Sequence, residues 1–344
     1  MSTNILAALI ESESLTQQAS HDFFEQMIHG NVAPELLASV LTALKLKGET
    51  PQEIAGAALA VRENATTFPP LSFDVADCVG TGGDGANTIN ISTTAAILAA
   101  ACGIKMAKHG NRSVSSMSGS ADLLEALGVN LMMSPETAAN CLDKANICFL
   151  FAPAYHPGFK HAAPVRKAMG VRTLFNILGP LVNPSAPKAM LLGVYTPELL
   201  SVMADALMLT GVERGWVVHG SGLDEIALHG STEVIEINGN EQVKKTITPA
   251  DFGLAEYSLE DIKGGTPQEN ADAIQTILSG NGKPAHNAAV IINAAAVLYL
   301  HDKADSLAVA AKIAEDVLMS GRAAQTLAEL VELSNDESPA QGGA

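Results

Sequence analysis

Apolar positions in the first 65 residues recur at helical spacing. Phe23, Phe24, Met27 and Ile28 form one stripe, and Leu36, Leu37, Val40, Leu41 and Leu44 form another, because residues three and four apart share a helix face. Pro34 and Pro51 stand where helices would begin, and Gly30 and Gly48 where they would end. Beyond residue 70 the pattern changes. Short apolar runs at 75–79, 104–108, 129–132, 147–151, 190–194 and 215–219 predict strands, with helices between most of them. That alternation predicts right-handed βαβ crossovers and a largely parallel sheet. The segment 233–237 alternates instead and runs into Asn238-Gly239-Asn240, which predicts an antiparallel hairpin at the sheet edge. Helices return after Pro267, and 288–300 and 307–318 are apolar enough to cover the sheet.

The expected architecture is therefore α/β. A small N-terminal helical domain spans 1–70, and a large α/β domain spans 71–333, with a mainly parallel central sheet flanked by helices. A tail at 334–344, rich in Asp, Glu, Ser, Pro and Gly, is expected to fray. A length of 344 residues with 47% apolar content supports two such domains. The 4% aromatic share favours close packing of helices on parallel strands over a β-sandwich.

One loop changes the picture from fold to chemistry. Gly80-Thr81-Gly82-Gly83-Asp84-Gly85, leading to Asn90-Ile91-Ser92-Thr93, places glycines between a predicted strand and a predicted helix. Glycines let backbone N–H groups turn toward an anion, and Asn90, Ser92 and Thr93 can cap the helix while adding donors. The spacing is neither G-x-G-x-x-G nor a Walker loop. A tight, well-capped turn without a ligand is the alternative reading.

Charge sharpens it. The chain carries −17 overall, which argues against nucleic acid as a partner. Between residues 105 and 172, however, eight Lys or Arg stand against four acids. That segment reads as a pocket for a small polyanion, or as a basic solvated face. Cys78, Cys102, Cys141 and Cys148 show no C-x-x-C spacing, so neither a zinc site nor a disulfide framework is indicated, and a reduced cytoplasmic setting is expected. The N-terminus lacks the basic region of an export signal and no long apolar run is present, so no membrane partner is expected.

Three further constellations carry candidate chemistry. Lys108-His109-Gly110-Asn111-Arg112, followed by Ser115, Ser116, Gly119 and Ser120, crowds cations and hydroxyls after a strand. In His156-Pro-Gly-Phe159-Lys-His161…Arg166, the planar guanidinium of Arg166 can fork onto a ligand carboxylate or serve an interdomain ion pair. His109, His156 and His161 have no acid and nucleophile at triad spacing. In Gly222-Leu223-Asp224-Glu225, two adjacent carboxylates after a strand suit a hard cation such as Mg²⁺, with a helix N-cap as the alternative.

Taken together, these segments and Asn176-Ile-Leu-Gly-Pro-Leu-Val-Asn-Pro184 closely resemble the anthranilate phosphoribosyltransferase family over about residues 1 to 330. One departure is Ile89, where the family often carries Phe, a matter of packing. The resemblance implies a nucleoside phosphorylase/phosphoribosyltransferase type of fold, with helices around 165–185 returning to the small domain. It implies transfer of phosphoribose from 5-phosphoribosyl-1-pyrophosphate (PRPP) to the amine of anthranilate with Mg²⁺. Gly80, Gly83, Asp84, Thr88, Asn90, Ile91, Ser92 and Thr93 would hold PRPP, with Lys108, Ser116 and Ser120. Gly80, Asn111 and Arg166 would hold anthranilate, with His109 and Phe159 near its path. Ser92, Asp224 and Glu225 would bind metal. It further implies a homodimer through the helical domain, and an anthranilate synthase subunit as a possible partner. Two rivals stay open: a pyrimidine nucleoside phosphorylase, and a non-catalytic anion-binding regulator on the same fold.

Overall fold

Proline and glycine punctuation sets four helices in the N-terminal region: α1 Ser2–Ile10, α2 Gln17–Ile28, α3 Pro34–Lys47 and α4 Pro51–Glu63. A computed structural model describes residues 2–113 and 117–336 of the chain. Gly48 closes α3 with its N–H on the Leu44 carbonyl, and Thr50 with Glu53 forms a reciprocal capping box on α4. Glu53 is fully buried. Its carboxylate accepts the Leu15 and Thr50 N–H groups at 2.9 and 2.8 Å and pairs with the Lys47 ammonium at 2.9 Å. Those partners make the buried charge tolerable.

Beyond residue 75 the chain builds one sheet from β1 Ala76–Gly80, β2 Met106–Gly110, β3 Ile147–Phe151, β4 Ala189–Gly193, β5 Arg214–His219, β6 Thr232–Asn238 and β7 Glu241–Ile247. Their order is β3-β2-β1-β4-β5-β6-β7, parallel through β5 and antiparallel thereafter. The edge hairpin forms as expected. The strand expected at 129–132 does not: this stretch is a loop, whose Val129 and Leu131 are buried as anchors in the core. Alternating burial there comes from a loop pinned at intervals, not from a pleat.

Helices α5 Ile91–Ala101, α6 Ser120–Ala126 and α7 Pro135–Ala145 connect the first three strands. After β3 come α8 Ala152–Tyr155, α9 Ala163–Met169 and α10 Phe175–Leu178, then α11 Leu199–Leu209 between β4 and β5. The C-terminal part is α12 Pro267–Leu278, α13 Pro284–Leu300, α14 Leu307–Met319 and α15 Arg322–Ser334. The expected fraying at 334–344 fails at its start, since Ser334 is buried, ends α15 and accepts the Asn130 N–H at 3.1 Å. Residues 337–344 lie outside the described residues.

Alternation along the strands divides the interior into two cores. Leu191, Trp216 and Val218 point into one with α5 and α13, whereas Met190, Leu192 and Val217 point into the other. The second core is shared. It contains Phe24, Leu41 and Ile54 of the N-terminal helices, Val165, Phe175 and Leu178 of the return segment, and Met203 and Leu207 of α11. The N-terminal helices and the return segment thus share one core against one face of the sheet. Among the described residues, no helix is long and apolar enough to cross a membrane.

Candidate functional site

Strand order reverses direction beside β1: β2 and β3 lie to one side, β4 and β5 to the other. In parallel α/β sheets the crevice at the carboxyl ends of such neighbouring strands is where ligands bind. Here Gly80 and Gly193, the last residues of β1 and β4, are paired in register. A side chain on either would collide with Asp224. The two glycines therefore let the Asp224-Glu225 loop lie directly across the strand ends.

His219 shapes that loop. Its Nδ1 lies 2.8 Å from the Val194 carbonyl and its Nε2 accepts the Gly222 N–H at 3.2 Å, which assigns the proton to Nδ1. Asp224 Oδ2 then accepts the Gly82 N–H at 2.6 Å, and Glu225 Oε1 accepts the Ser92 N–H at 3.0 Å. Burial pushes the Asp224 carboxyl up to about 7, with the Asp84 carboxylate adding to it. Glu225 is pushed up to about 8 by burial and by Asp224. Ionising both of these adjacent, half-buried carboxyls is therefore costly, a cost that a bound cation would remove.

The glycine loop is positioned from several sides. Asp84 accepts the Ala86 N–H at 3.0 Å, and Thr88 pairs with Lys263 in an isolated antiparallel bridge. Ile91 and Thr93 are buried in the first turn of α5. The expected side-chain cap at Asn90 is absent: its amide Nδ2 donates to the Ser118 carbonyl at 3.0 Å and its Oδ1 accepts from Asn270 at 2.8 Å. Those tertiary partners displace the local cap. Arg172 donates to the Gly83 carbonyl and stacks 4.3 Å over Tyr195.

Lys108 is buried on β2 with its ammonium 3.2 Å from the His109 carbonyl. Arg112, by contrast, is committed to a bidentate pair with Glu125 at 2.7 and 2.9 Å and to Asp122 at 3.1 Å. Asp122 also accepts the Gly119 N–H at 3.0 Å, so α6 already carries an anion at its N-terminus. Ser120 donates to the Asn111 carbonyl at 3.2 Å. Ser115 and Ser116 lie outside the described residues.

Toward the small domain, a chain of rings links His109, His156, Phe159 and Phe175 at centroid separations of 5.2, 5.8 and 5.7 Å. Both ring nitrogens of His109 are engaged, by the Gly179 carbonyl at 3.2 Å and His156 Nε2 at 3.2 Å. Burial holds both imidazoles below the usual histidine range, His156 at about 4. Arg166 lies 5.2 Å over Phe175, and among the described residues it makes no ion pair. The interdomain salt bridge considered for it does not form among the described residues.

Sequence reasoning gave no site role to Gly193, Arg172 or Asn270, nor to the tie beneath the site, where buried Asn183 of the 176–184 segment donates to Asp77 at 2.9 Å and to the Ala107 carbonyl at 2.8 Å. Gly193 was detectable as a glycine ending an apolar run. The others have partners too distant in sequence to signal themselves.

A helical bundle set before an α/β body, with a glycine loop and an acidic pair meeting at the switch in strand order, defines a group-transferring enzyme of the two-domain glycosyl transferase class. The sequence matches that class in both parts: the helical bundle domain over residues 3–65 and the a/b domain over residues 72–324. The chain is 70% identical over 335 residues to an anthranilate phosphoribosyltransferase of Colwellia psychrerythraea, covering 97% of this chain and 92% of that protein. A crystal structure of anthranilate phosphoribosyltransferase from Thermus thermophilus superposes with a TM-score of 0.91 at 43% identity, covering 96% of this chain and 99% of the other. The Saccharomyces cerevisiae enzyme, solved in complex with PRPP and Mg, superposes at 0.87 with 30% identity and 97% coverage of each. This chain belongs to the anthranilate phosphoribosyltransferase family.

Proposed function

We propose that the protein transfers the phosphoribosyl group of PRPP to the amine of anthranilate, releasing pyrophosphate, in tryptophan biosynthesis. The observation that carries this reading is the half-buried Asp224-Glu225 pair laid across the ends of β1 and β4 against the glycine loop. Among the described residues no cluster of three or more His, Cys, Asp or Glu could form a protein-only metal cage. Two carboxylates beside a phosphate loop instead suit Mg²⁺, which keeps waters and substrate oxygens among its ligands. Asp224, Glu225 and the Ser92 hydroxyl would hold it, and the ion would supply positive charge against the pyrophosphate.

On this reading Gly80, Gly83, Asp84, Thr88, Asn90, Ile91, Ser92 and Thr93 hold the donor, and those N–H groups of the glycine loop not already bonded within the protein, as the Thr81, Gly82 and Ala86 N–H groups are, would face its phosphates. Lys108 and Ser120, with Ser116, add charge and hydroxyls from the second loop. Removing a buried Lys108 from water costs less once pyrophosphate neutralises it, so its attraction grows as the leaving group gathers charge. Arg166 and Asn111 align anthranilate, whose carboxylate fits the unpaired guanidinium, with Gly80, His109 and Phe159 along its path. No side chain need take a proton from the amine before attack, because orientation and charge supply the main effects.

The same reading carries a homodimer through the helical domain. Loss of anthranilate fluorescence should require protein, PRPP and Mg²⁺ together. A folded protein that leaves the fluorescence unchanged in the full mixture would refute the reading.

A further inference from the structure

Residues 262–270 lie as a strap across the donor loop. The Ile89 N–H donates to the Ile262 carbonyl at 3.0 Å, and the Gly264 N–H donates to the Asn87 carbonyl at 2.9 Å. The approach is close enough to demand glycine: a Cβ on Gly264 would stand 2.6 Å from the Thr88 carbonyl oxygen and 2.8 Å from the Ile89 nitrogen. Behind the strap, Asn270 on the first turn of α12 is 2% exposed. Its Oδ1 accepts the Gly265 N–H at 2.7 Å and its Nδ2 donates to Asn90 Oδ1 at 2.8 Å.

Asn90 is the junction of two loops. Its Oδ1 also accepts from the Ser118 hydroxyl at 3.3 Å while its Nδ2 donates to the Ser118 carbonyl at 3.0 Å. An amide has one oxygen and one NH₂, and both ends are in use. Asn270 and the Ser118 carbonyl therefore fix between them which way the Asn90 amide points, and through it how the glycine loop sits against the loop that carries Lys108 and Ser120.

We propose that Asn270, which touches neither substrate, is a positioning residue for the PRPP half of the site, acting through Asn90 to hold the two donor-binding loops in register. The inference rests on the phosphoribosyl-transfer reading. Its chemistry is that of a buried polar network, in which reversing one dipole forces its neighbours to turn or to lose a partner.

Asn270→Asp tests it with little change of shape. The remaining Oδ1 still takes the Gly265 N–H, but an oxygen now faces Asn90 Oδ1. If the Asn90 amide flips to repair that contact, it loses its donation to the Ser118 carbonyl. We expect KM and Kd for PRPP to rise roughly tenfold, about the effect of one lost hydrogen bond, while KM for anthranilate at saturating PRPP stays within about twofold. In an Asn90→Ala background the same substitution should add less than about twofold, because its partner is already gone. A folded Asn270→Asp protein with unchanged PRPP affinity overturns the proposal. So does an equal rise in both KM values, or effects that multiply independently in the double variant. Failure of both Asn270→Asp and Asn270→Ala to fold would assign the residue to stability alone and also overturn it. Calorimetry of PRPP binding keeps the two readings apart. Wild-type protein that binds PRPP without converting anthranilate sinks the proposed activity while Asn270 is still scored by binding, and wild-type protein that does not bind PRPP sinks both.

Discussion

Gly193 ends β4 directly beneath the backbone of Asp224, and no other residue type fits between them. The acidic loop is seated by the absence of a side chain in the neighbouring strand. Gly193→Ala should force the 220–225 loop off the sheet, at about 1–3 kcal/mol for an overpacked contact. Thermal unfolding would register the loss. Titration with PRPP and Mg²⁺ should show weakened binding beyond it.

Replacing the acidic pair by amides, Asp224→Asn with Glu225→Gln, should abolish Mg²⁺-dependent turnover yet stabilise the protein in chelator at neutral pH. The sign follows from the raised values of about 7 and about 8. Unfolded carboxylates ionise near pH 4, whereas the folded ones hold their protons far longer. In metal-free buffer their contribution to stability is present at low pH and is lost as pH rises through that window. Melting curves from pH 4 to 8, with and without the double substitution, check this; turnover at a normal rate in the variant would dismiss the metal assignment.

Arg166→Ala should raise KM for anthranilate about tenfold or more, the size of a lost charge-assisted hydrogen bond, with PRPP affinity nearly unchanged. Its guanidinium stacks on the Phe175 ring and makes no ion pair among the described residues. Steady-state kinetics with each substrate varied separately decides the matter.

The buried histidine pair makes the fold acid-sensitive. His156 titrates at about 4 in the folded chain, held down by burial, and His109 lies well below its usual range. Unfolded histidines take protons near 6.5, so between pH 6.5 and 4 the unfolded chain binds more protons and stability falls as pH falls. The slope of Tm against pH over that interval should be shallower in His156→Gln than in the wild type.

Glu53→Ala should destabilise the helical domain by about 3 kcal/mol, since it strips Lys47 of its partner and orphans the Leu15 and Thr50 N–H groups. Denaturant unfolding measures it. KM values for both substrates should remain near wild type in protein that is still folded.

Punctuation made much of this architecture legible. Pro34, Pro51 and Gly48 mark helix ends by backbone geometry alone, and the Gly80–Gly85 loop follows a run apolar enough to be a strand. Burial pattern misled at 129–132, where a loop anchored by Val129 and Leu131 imitates a pleat. Local capping rules failed at Asn90 because partners 28 and 180 residues away compete for its amide. Arg112 looked like a free cation, but its acids lie one helix further on, at Asp122 and Glu125. Such long-range pairings depend on which loops the sheet brings together, and strand order is not written in any single segment.

The core shared by the N-terminal helices and the 162–182 segment has a consequence for inheritance of parts. Because residues 162–182 supply a substantial share of it, the N-terminal bundle is not a cassette that recombination could trade at the 64–75 junction. A graft there would bring four helices but leave their complement behind, so the two stretches must change in concert. A chimera that takes residues 1–64 from another parent should fold only when residues 162–182 come from that parent as well.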